Sequence, residues 1–251
     1  MGTDRRAAAA ILPSVSRAQP PQQAPPKQRL RVRYAKRGRA RFASHRDVGR
    51  ALERALRRAG IPMAFSSGFS PHPRISYAGA SPTGAASESE YLELGLAEVV
   101  EPDRLRRVLS EALPEGLEIV GVAEAGPQPL ADLLTASCWR MDVPGVTAAG
   151  AEQAVQALLA EPQHAVERMT KTGMRSFDVR AAVLRLRVEG EGLLELVSAI
   201  GTPLVRPDDV ITALTQVSPA FRPTRPPVFT RLAQGTFDGT RVVDPVPPMA
   251  G

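Results

Sequence analysis

Aromatic side chains are scarce in this sequence of 251 residues, and cysteine and histidine are scarcer still. Phe, Trp and Tyr make up 4% of the residues, so the core must be built mainly from Leu, Val, Ile and Ala. The single cysteine, Cys138, excludes an internal disulfide, a zinc site of several cysteines and an iron–sulfur cluster held by this chain's cysteines alone. We interpret Cys138 as a small buried side chain in a reducing cytosol.

Long apolar runs are also missing. No stretch approaches the roughly 20 apolar residues that a membrane helix needs, and the early run AAAAIL stops at Pro13, too short for a signal peptide. We therefore expect a cytoplasmic protein without a membrane partner. The sequence has no P-loop, no dinucleotide-binding glycine motif and no nucleophile elbow, and we predict no cofactor.

Basic residues concentrate in one part of a chain whose formal net charge is +6. Between Lys27 and Arg58, eleven arginines and two lysines face only two acidic residues, a local net charge of +11, so the rest of the chain carries −5. Evenly distributed surface charge would not produce this asymmetry, which indicates a polyanionic partner.

The ends of the sequence differ in composition from its middle. Residues 1–28 include QPPQQAPPKQ and cannot bury enough apolar surface to offset the entropy lost on ordering, so we predict a disordered leader. Residues 233–251 end in VVDPVPPMAG and are predicted to form a flexible tail. The folded part should then consist of two halves, residues 29–126 and 127–232.

The first half has the order strand, helix, strand, strand, helix, strand. RLRVRY (29–34) alternates like a half-buried strand, and the helix after it begins at Ser44, which has capping-box spacing to Asp47. Short strands are predicted at PMAFS (62–66) and EYLELGL (90–96), separated by a long loop that includes SPTGAASESE. A helix from EPDRLRRVL and the strand LEIVGVAEA complete a split βαβ, or ferredoxin-like, order.

The second half looks like a less regular copy of the first. ASCWRMDV and HAVERMT are predicted strands on either side of the helix TAAGAEQAVQALLAEP. AAVLRLRVEG and LLELVSAI form a predicted hairpin, and RPDDVITAL a helix. We therefore predict an α+β fold with two ferredoxin-like halves in tandem.

The arginines dominate the predicted binding residues. Arg46, Arg50 and Arg54 are four residues apart and should form one ridge on the first helix. Guanidinium groups form forked hydrogen bonds with phosphate, although the cluster could also be an ordinary solvated face. The residues that we predict to contact nucleic acid or another anion are Arg37, Arg39, Arg41, His45, Arg46, Arg50, Ser67, Phe69, His72, Arg74, Lys171 and Arg175. Nothing in the sequence indicates DNA, and aromatics are not interleaved among the arginines as in a base-stacking surface.

The segment GFSPHPRIS (68–76) is rigid and carries chemistry-bearing side chains. Pro71 and Pro73 should hold the chain extended and present His72 and Arg74 at low entropic cost, an arrangement that suits a phosphate. The alternative is a stiff connector whose Phe69 fills the core and whose His72 caps a backbone carbonyl.

The histidines offer one catalytic alternative. His45 and His72 are the only plausible acid–base pair in the first half. A metal site from these residues with Asp47 or Glu88 lacks the HxH or HxxxH spacing of metal-binding motifs, so we predict none.

Several of these segments together resemble the radical-SAM-linked proteins, a bacterial domain of unknown function. The resemblance covers residues 29–230 and rests on the basic strand, the Ser-His-x-Asp helix start, GFSPHPRIS, SESEY, the KTG-x-R-x-F-D-V-R stretch and RPDDVITAL. It implies a module that stands alone or is fused to radical SAM proteins, often encoded near a ribonuclease of the E/G type and ribosomal proteins. It implies no established reaction.

These observations favour a non-catalytic RNA-binding or adaptor module that works with a radical SAM enzyme or ribosome-linked machinery. Ribosomal, transfer or precursor RNA would be the partner. Two alternatives remain: a metal-independent RNA-processing enzyme that uses His45 and His72, and a protein-only scaffold whose basic face meets an acidic partner.

Overall fold

The computed structural model describes residues 22–170 and 173–246, which form a mixed α+β fold. The predicted leader therefore lies outside the described residues up to position 21. The strands are β1 Gln28–Lys36, β2 Ile75–Ala78, β3 Ala86–Leu96, β4 Leu117–Glu124, β5 Ala136–Asp142, β6 Ala165–Thr170, β7 Gly173–Asp178, β8 Val183–Gly190, β9 Leu193–Ala199, β10 Val228–Phe237 and β11 Val242–Val243. The helices are α1 His45–Arg58, α2 Pro102–Ala112, α3 Ala148–Ala160, α4 Val179–Ala182 and α5 Pro207–Val217, with 3-10 turns at Gly38–Phe42 and Leu130–Leu133.

One nine-stranded sheet organises the described residues. Seven strands lie in the order β4-β1-β3-β10-β5-β9-β8, while β2 pairs with β3 and β11 pairs with β10. Neighbouring strands are antiparallel except β3 and β10, which are parallel and paired at Ala86 with Thr230 and at Ser87 with Arg231. The predicted border at residue 126 therefore lies within a single continuous sheet, and β6 and β7 form a separate hairpin.

The pairing of β3 with β10, here called the junction, divides the sheet into two halves, one with β4, β1, β3 and β2 and the other with β10, β5, β9 and β8. Each half has its own apolar core. Helices α1 and α2 pack against β1, β3 and β4 through Leu52, Leu105 and Leu94, all almost fully buried. Helices α3 and α5 cover β5, β8 and β9 in the same way, with Leu158 and Leu214 at the centre. Among the described residues, no helix is both long and apolar enough to cross a lipid bilayer.

Most predicted elements are confirmed, with one strand displaced. The strands predicted at RLRVRY, EYLELGL, LEIVGVAEA and ASCWRMDV correspond to β1, β3, β4 and β5, and the hairpin of β8 and β9 is also as predicted. The predicted strand at 62–66 is wrong: that segment makes only isolated bridges, Met63 with Leu96 and Phe65 with Pro73. The strand that pairs with β3 is instead β2, because the turn after Pro73 places Ile75 opposite Leu94.

The predicted tail boundary at residue 232 is also wrong. Strand β10 runs on to Phe237 in the middle of the sheet, and β11 pairs with it. The carboxylate of Asp244 accepts a hydrogen bond from Ser89 (2.7 Å) and forms an ion pair with Arg33 (3.0 Å). Val246 is fully buried against Leu130 and Leu134. Residues 233–246 thus belong to the fold.

A buried ion pair joins the two halves of the sheet. The guanidinium of Arg231, on β10, donates to the carboxylate of Glu90, on β3, and both side chains are 3% exposed. The same guanidinium donates to the Gly79 carbonyl (2.6 Å) and to the Ser87 hydroxyl (3.3 Å). Because the parallel pairing of β3 and β10 is short, these side-chain bonds add to the connection between the two strands.

We expect Arg231→Met to lower the free energy of unfolding by about 3–5 kcal/mol, because the Glu90 carboxylate would stay buried without its cation. Urea denaturation measures this change, and adding Glu90→Gln should recover part of it. Arg140→Met is the matched control, because Arg140 forms an exposed pair with Asp142 whose loss should cost less than about 1 kcal/mol. Equal effects of the two single variants would show that the buried pair does not hold the junction.

Candidate functional site

The arginines of β1 are structural. Arg31 and Arg33 are buried, and their ion pairs are with Glu93 and Asp244 respectively. Arg29 pairs with the same Glu93 (3.1 Å). Because acidic residues from distant parts of the chain neutralise this face of the strand, the face does not contribute to a free basic surface.

Arg37, a predicted phosphate contact, is also engaged within the protein. Its guanidinium bonds to the carboxylates of both Glu88 and Glu118, and these bonds raise its pKa, with the Glu88 hydrogen bond as the main cause. The neighbouring Lys36 is buried, which lowers the pKa of its amine. Arg37 is therefore paired with carboxylates and Lys36 is buried, so neither is available to contact a ligand.

Four of the predicted arginines remain available, and we call them the arginine surface: Arg39 and Arg41 on the 3-10 turn, and Arg46 and Arg50 on α1. All four are exposed or partly exposed, and none forms an ion pair with another described residue. Arg54 continues the α1 ridge. A cluster of unmatched guanidinium groups is the electrostatic arrangement that attracts phosphate groups.

The start of α1 positions half of this surface. The Ser44 hydroxyl caps the helix by accepting a hydrogen bond from the Asp47 N–H (3.2 Å), and it donates to the Asp47 carboxylate (2.6 Å). The predicted capping spacing is thereby confirmed, although the carboxylate bonds to the hydroxyl, whereas a standard capping box uses the backbone N–H. The hydrogen bond from Ser44 is the main factor that lowers the Asp47 pKa.

Three phenylalanines are exposed on the described surface, and of these the sequence predicted Phe69 as a contact residue but missed Phe42 and Phe65. Phe42 is 61% exposed and has the Arg41 guanidinium 4.6 Å above its ring, while Phe65 is 44% exposed. Phe69 is 72% exposed, so the alternative in which it fills the core is wrong. The short motif GRARF, a phenylalanine after arginines in a turn, was the available sequence signal for Phe42.

Residues 66–74, here called the proline loop, are closed by their own hydrogen bonds. The Ser66 N–H donates to the His72 carbonyl (2.9 Å), and the His72 N–H donates to the Ser66 hydroxyl (3.0 Å). Ser67 accepts from the Gln23 N–H (2.9 Å), and the Arg74 Nε donates to the Phe65 carbonyl (3.1 Å). The loop leaves Phe69 and His72 exposed at its surface.

The two candidate catalytic histidines do not form a hydrogen-bonded pair. His45 places its ring edge-on to Tyr77, with centroids 4.9 Å apart, whereas His72 lies in the proline loop, and no hydrogen bond links the imidazoles. Burial, followed by the charge of Glu53, raises the Tyr77 pKa to about 12, so its hydroxyl stays protonated at neutral pH. Within the described residues no cluster of three or more His, Cys, Asp or Glu is arranged to hold a metal ion.

The predicted sites of the second half lie on the β6–β7 hairpin. Arg175, on β7, is exposed and makes no ion pair with a described residue, whereas Lys171 lies outside the described residues. Arg168, opposite Arg175 on β6, is held by Asp209 and packs over the Phe177 ring. Among the described residues of this hairpin, Arg175 is therefore an available cation.

Cys138 has the buried position that its isolation predicted. Burial, with a smaller contribution from Glu195, raises the pKa of the thiol to about 12. The thiol is therefore protonated at physiological pH and is a poor nucleophile.

We expect Ser44→Ala to destabilise the protein by about 1 kcal/mol, because the first turn of α1 would lose its cap. Thermal or urea unfolding measures the change. Ser70→Ala is the control, since Ser70 is exposed and bonds to no described residue, and it should change stability by less than about 0.5 kcal/mol. A Ser44→Ala variant as stable as the control would contradict the capping role.

The chain matches one family model, described as an uncharacterized protein conserved in bacteria (DUF2344), over residues 29–207. The matched range includes the arginine surface, the proline loop and Arg175, but it ends before β10. No curated protein matches the chain. The predicted bacterial family without a known function is thereby confirmed at this level, whereas the link to radical SAM proteins stays a prediction. The chain belongs to this family of uncharacterized bacterial proteins, DUF2344.

Proposed function

We propose that this protein is an RNA-binding adaptor and that the arginine surface is its contact with the RNA backbone. The main support for the proposal is that the arginines between Lys27 and Arg58 fall into two groups, those paired with carboxylates and those without an ion pair to a described residue. Arg31, Arg33 and Arg37 form ion pairs with carboxylates, while Arg39, Arg41, Arg46 and Arg50 form none with a described residue. The charge of the Asp47 carboxylate acts on Arg46 and Arg50. Unmatched guanidinium groups clustered at one place favour a polyanion.

The position of Arg46 supports an anionic ligand. It lies in the first turn of α1, where the helix dipole is already positive, next to His45. Positive charge is unfavourable there, and Asp47 is the one acidic residue in that turn. A bound phosphate would relieve this repulsion and accept hydrogen bonds from the same groups.

The exposed phenylalanines favour single-stranded RNA over a duplex. Phe42 and Phe69 offer flat apolar faces that a paired duplex does not need, whereas unstacked bases in RNA loops stack on such side chains. The arginines would then hold the backbone and the aromatic rings would hold the bases. His72 and Arg74, on the proline loop, would contact a neighbouring phosphate.

The fold and the partner are part of the same proposal. We interpret the two halves of the sheet as related split βαβ units. When the strands of each half are numbered along the chain, β4-β1-β3-β2 and β10-β5-β9-β8 both have the order 4-1-3-2. The resemblance to radical-SAM-linked proteins suggests that the adaptor brings RNA to a radical SAM enzyme or to ribosome-linked machinery in the cytoplasm.

A fourfold charge reversal tests the RNA contact. The variant Arg39→Glu, Arg41→Glu, Arg46→Glu, Arg50→Glu should bind a labelled single-stranded RNA at least tenfold more weakly at about 0.1 M salt. Fluorescence anisotropy over a range of salt concentrations should also give a log–log slope smaller by about 3, since each lost phosphate contact removes about 0.7.

The matched control reverses the exposed arginines Arg104, Arg107, Arg222 and Arg225, which gives the same net charge elsewhere on the surface. This control should keep most of the affinity and most of the salt slope. Equal loss in both variants would reduce the effect to net charge, and no loss in the first variant would contradict the proposal. A pull-down from cells that survives nuclease treatment would instead favour the protein-only scaffold.

A further inference from the structure

A cavity of about 170 Å³ lies beside the junction between the two halves of the sheet. Its floor comes from three adjacent strands, β10, β5 and β9, and its walls from residues 79–82 and 200–207. We call this cavity the junction pocket. It is distinct from the arginine surface, since the two share no residue.

The floor of the junction pocket carries a row of three buried polar residues, one of which has an unpartnered atom. Gln234 on β10 lies opposite Ser137 on β5, and Ser137 lies opposite Ser198 on β9. All three are at least 95% buried. The Gln234 Oε1 is buried and has no hydrogen-bond donor, and Ser137 and Ser198 line the pocket beside it. Buried polar atoms are normally satisfied, so the unpartnered Gln234 Oε1 favours a polar ligand at this floor.

Gln234 is held in this position by its surroundings. A Cβ on Gly79 would lie 2.1 Å from the Gln234 Nε2, so the amide occupies space that only a glycine leaves open. The Gly79 carbonyl is itself fixed by Arg231 (2.6 Å). Arg231, which joins the two halves of the sheet, therefore also fixes the glycine against which the Gln234 amide lies.

Apolar side chains form the remaining walls. Trp139, next to Ser137 on the floor side, is 5% exposed, and Ile200, Leu204 and Val205 enclose the pocket from the loop before α5. An apolar cavity of roughly 150 Å³ accommodates a benzene ring. The junction pocket thus fits one flat six-membered ring with polar atoms on its edge.

Positive charge lies at the mouth. Arg206 lines both the junction pocket and an adjoining groove that also contains Arg175. Neither guanidinium forms an ion pair with a described residue. The neighbouring Asp209 is already occupied by Arg168 and by the Arg206 N–H (2.7 Å). An anionic group on the ligand would therefore find its partners just outside the pocket.

We infer that the junction pocket binds the base of a pyrimidine nucleotide, with its phosphate at Arg206. A pyrimidine ring has the size of the cavity and carries N–H and carbonyl groups on its edge. An N–H of the base donates to Gln234 Oε1, and its carbonyls accept from the hydroxyls of Ser137 and Ser198. The nucleotide is either free or part of an RNA chain.

The protein provides its own probe, because Trp139 is the single tryptophan of the sequence. Titration with UMP or CMP should change its fluorescence saturably, while AMP and GMP, whose bases have two rings, should bind at least about tenfold more weakly. Uridine without its phosphate should also bind roughly tenfold more weakly than UMP, because the bond to Arg206 is lost.

Three variants and one control complete the test. Ser198→Ala and Gln234→Met, which remove one polar group each, should weaken UMP binding by about tenfold. Leu204→Phe should fill the mouth, and Leu184→Phe is its control, since both leucines are almost half exposed and Leu184 lies outside the pocket. The control should bind UMP like the unchanged protein, and thermal unfolding verifies that each variant is folded.

The outcomes separate the sources of the ligand and the two proposals. A response to UMP indicates a free nucleotide, whereas a response to a short oligouridine but not to UMP indicates a base within RNA; both support the pocket. No saturable response to either, or binding unchanged in Ser198→Ala and Gln234→Met, would overturn it in favour of a water-filled cavity. Equal affinity for AMP would overturn the pyrimidine assignment. The fourfold Arg→Glu variant should bind UMP normally, so failure of the RNA proposal is recognisable separately.

Discussion

The ion pair of Arg231 and Glu90 is a buried connection between the two halves of the sheet. The parallel pairing of β3 and β10 at the junction is short, and the guanidinium extends the contact by binding Glu90, Ser87 and the Gly79 carbonyl. A buried charge pair of this kind is costly to desolvate, but it tolerates only one relative placement of the two strands. The same placement fixes Gly79 and Gln234, and with them the junction pocket.

The sequence predicted the local elements well and the sheet junction poorly. Strands such as β1 and β3 were recognisable because apolar side chains alternate on one face. Strand β10 was missed, since VFTRLAQGTF places Arg231 and Gln234 inward, where the pattern requires apolar residues. The displaced strand has a similar cause: the segment 62–66 is apolar enough for a strand, but the geometry of the proline loop gives the pairing to β2.

The candidate site shows the same division. The arginine cluster was evident from composition, but composition did not show which arginines form ion pairs. The carboxylates that neutralise Arg31, Arg33 and Arg37 lie far away in sequence. Glu93, Glu118 and Asp244 could not be assigned to these arginines before the strand register was known. The exposure of Phe42 and Phe69 likewise depends on the turns that hold them. Charge density is a property of the sequence, whereas available charge is a property of the fold.

The central position of β10 has a consequence for the growing chain. Strand β3 ends at Leu96, but its neighbour β10 begins only at Val228. At ~5–20 residues per second, synthesis separates the two by on the order of ten seconds. During that interval β2 covers β3 only from Tyr91 to Leu94, and the segment before Tyr91 is an open strand edge. The buried polar residues Ser87, Ser89 and Glu90 on that edge disfavour pairing with another chain, so the groups that later fix the junction also protect the nascent protein from aggregation.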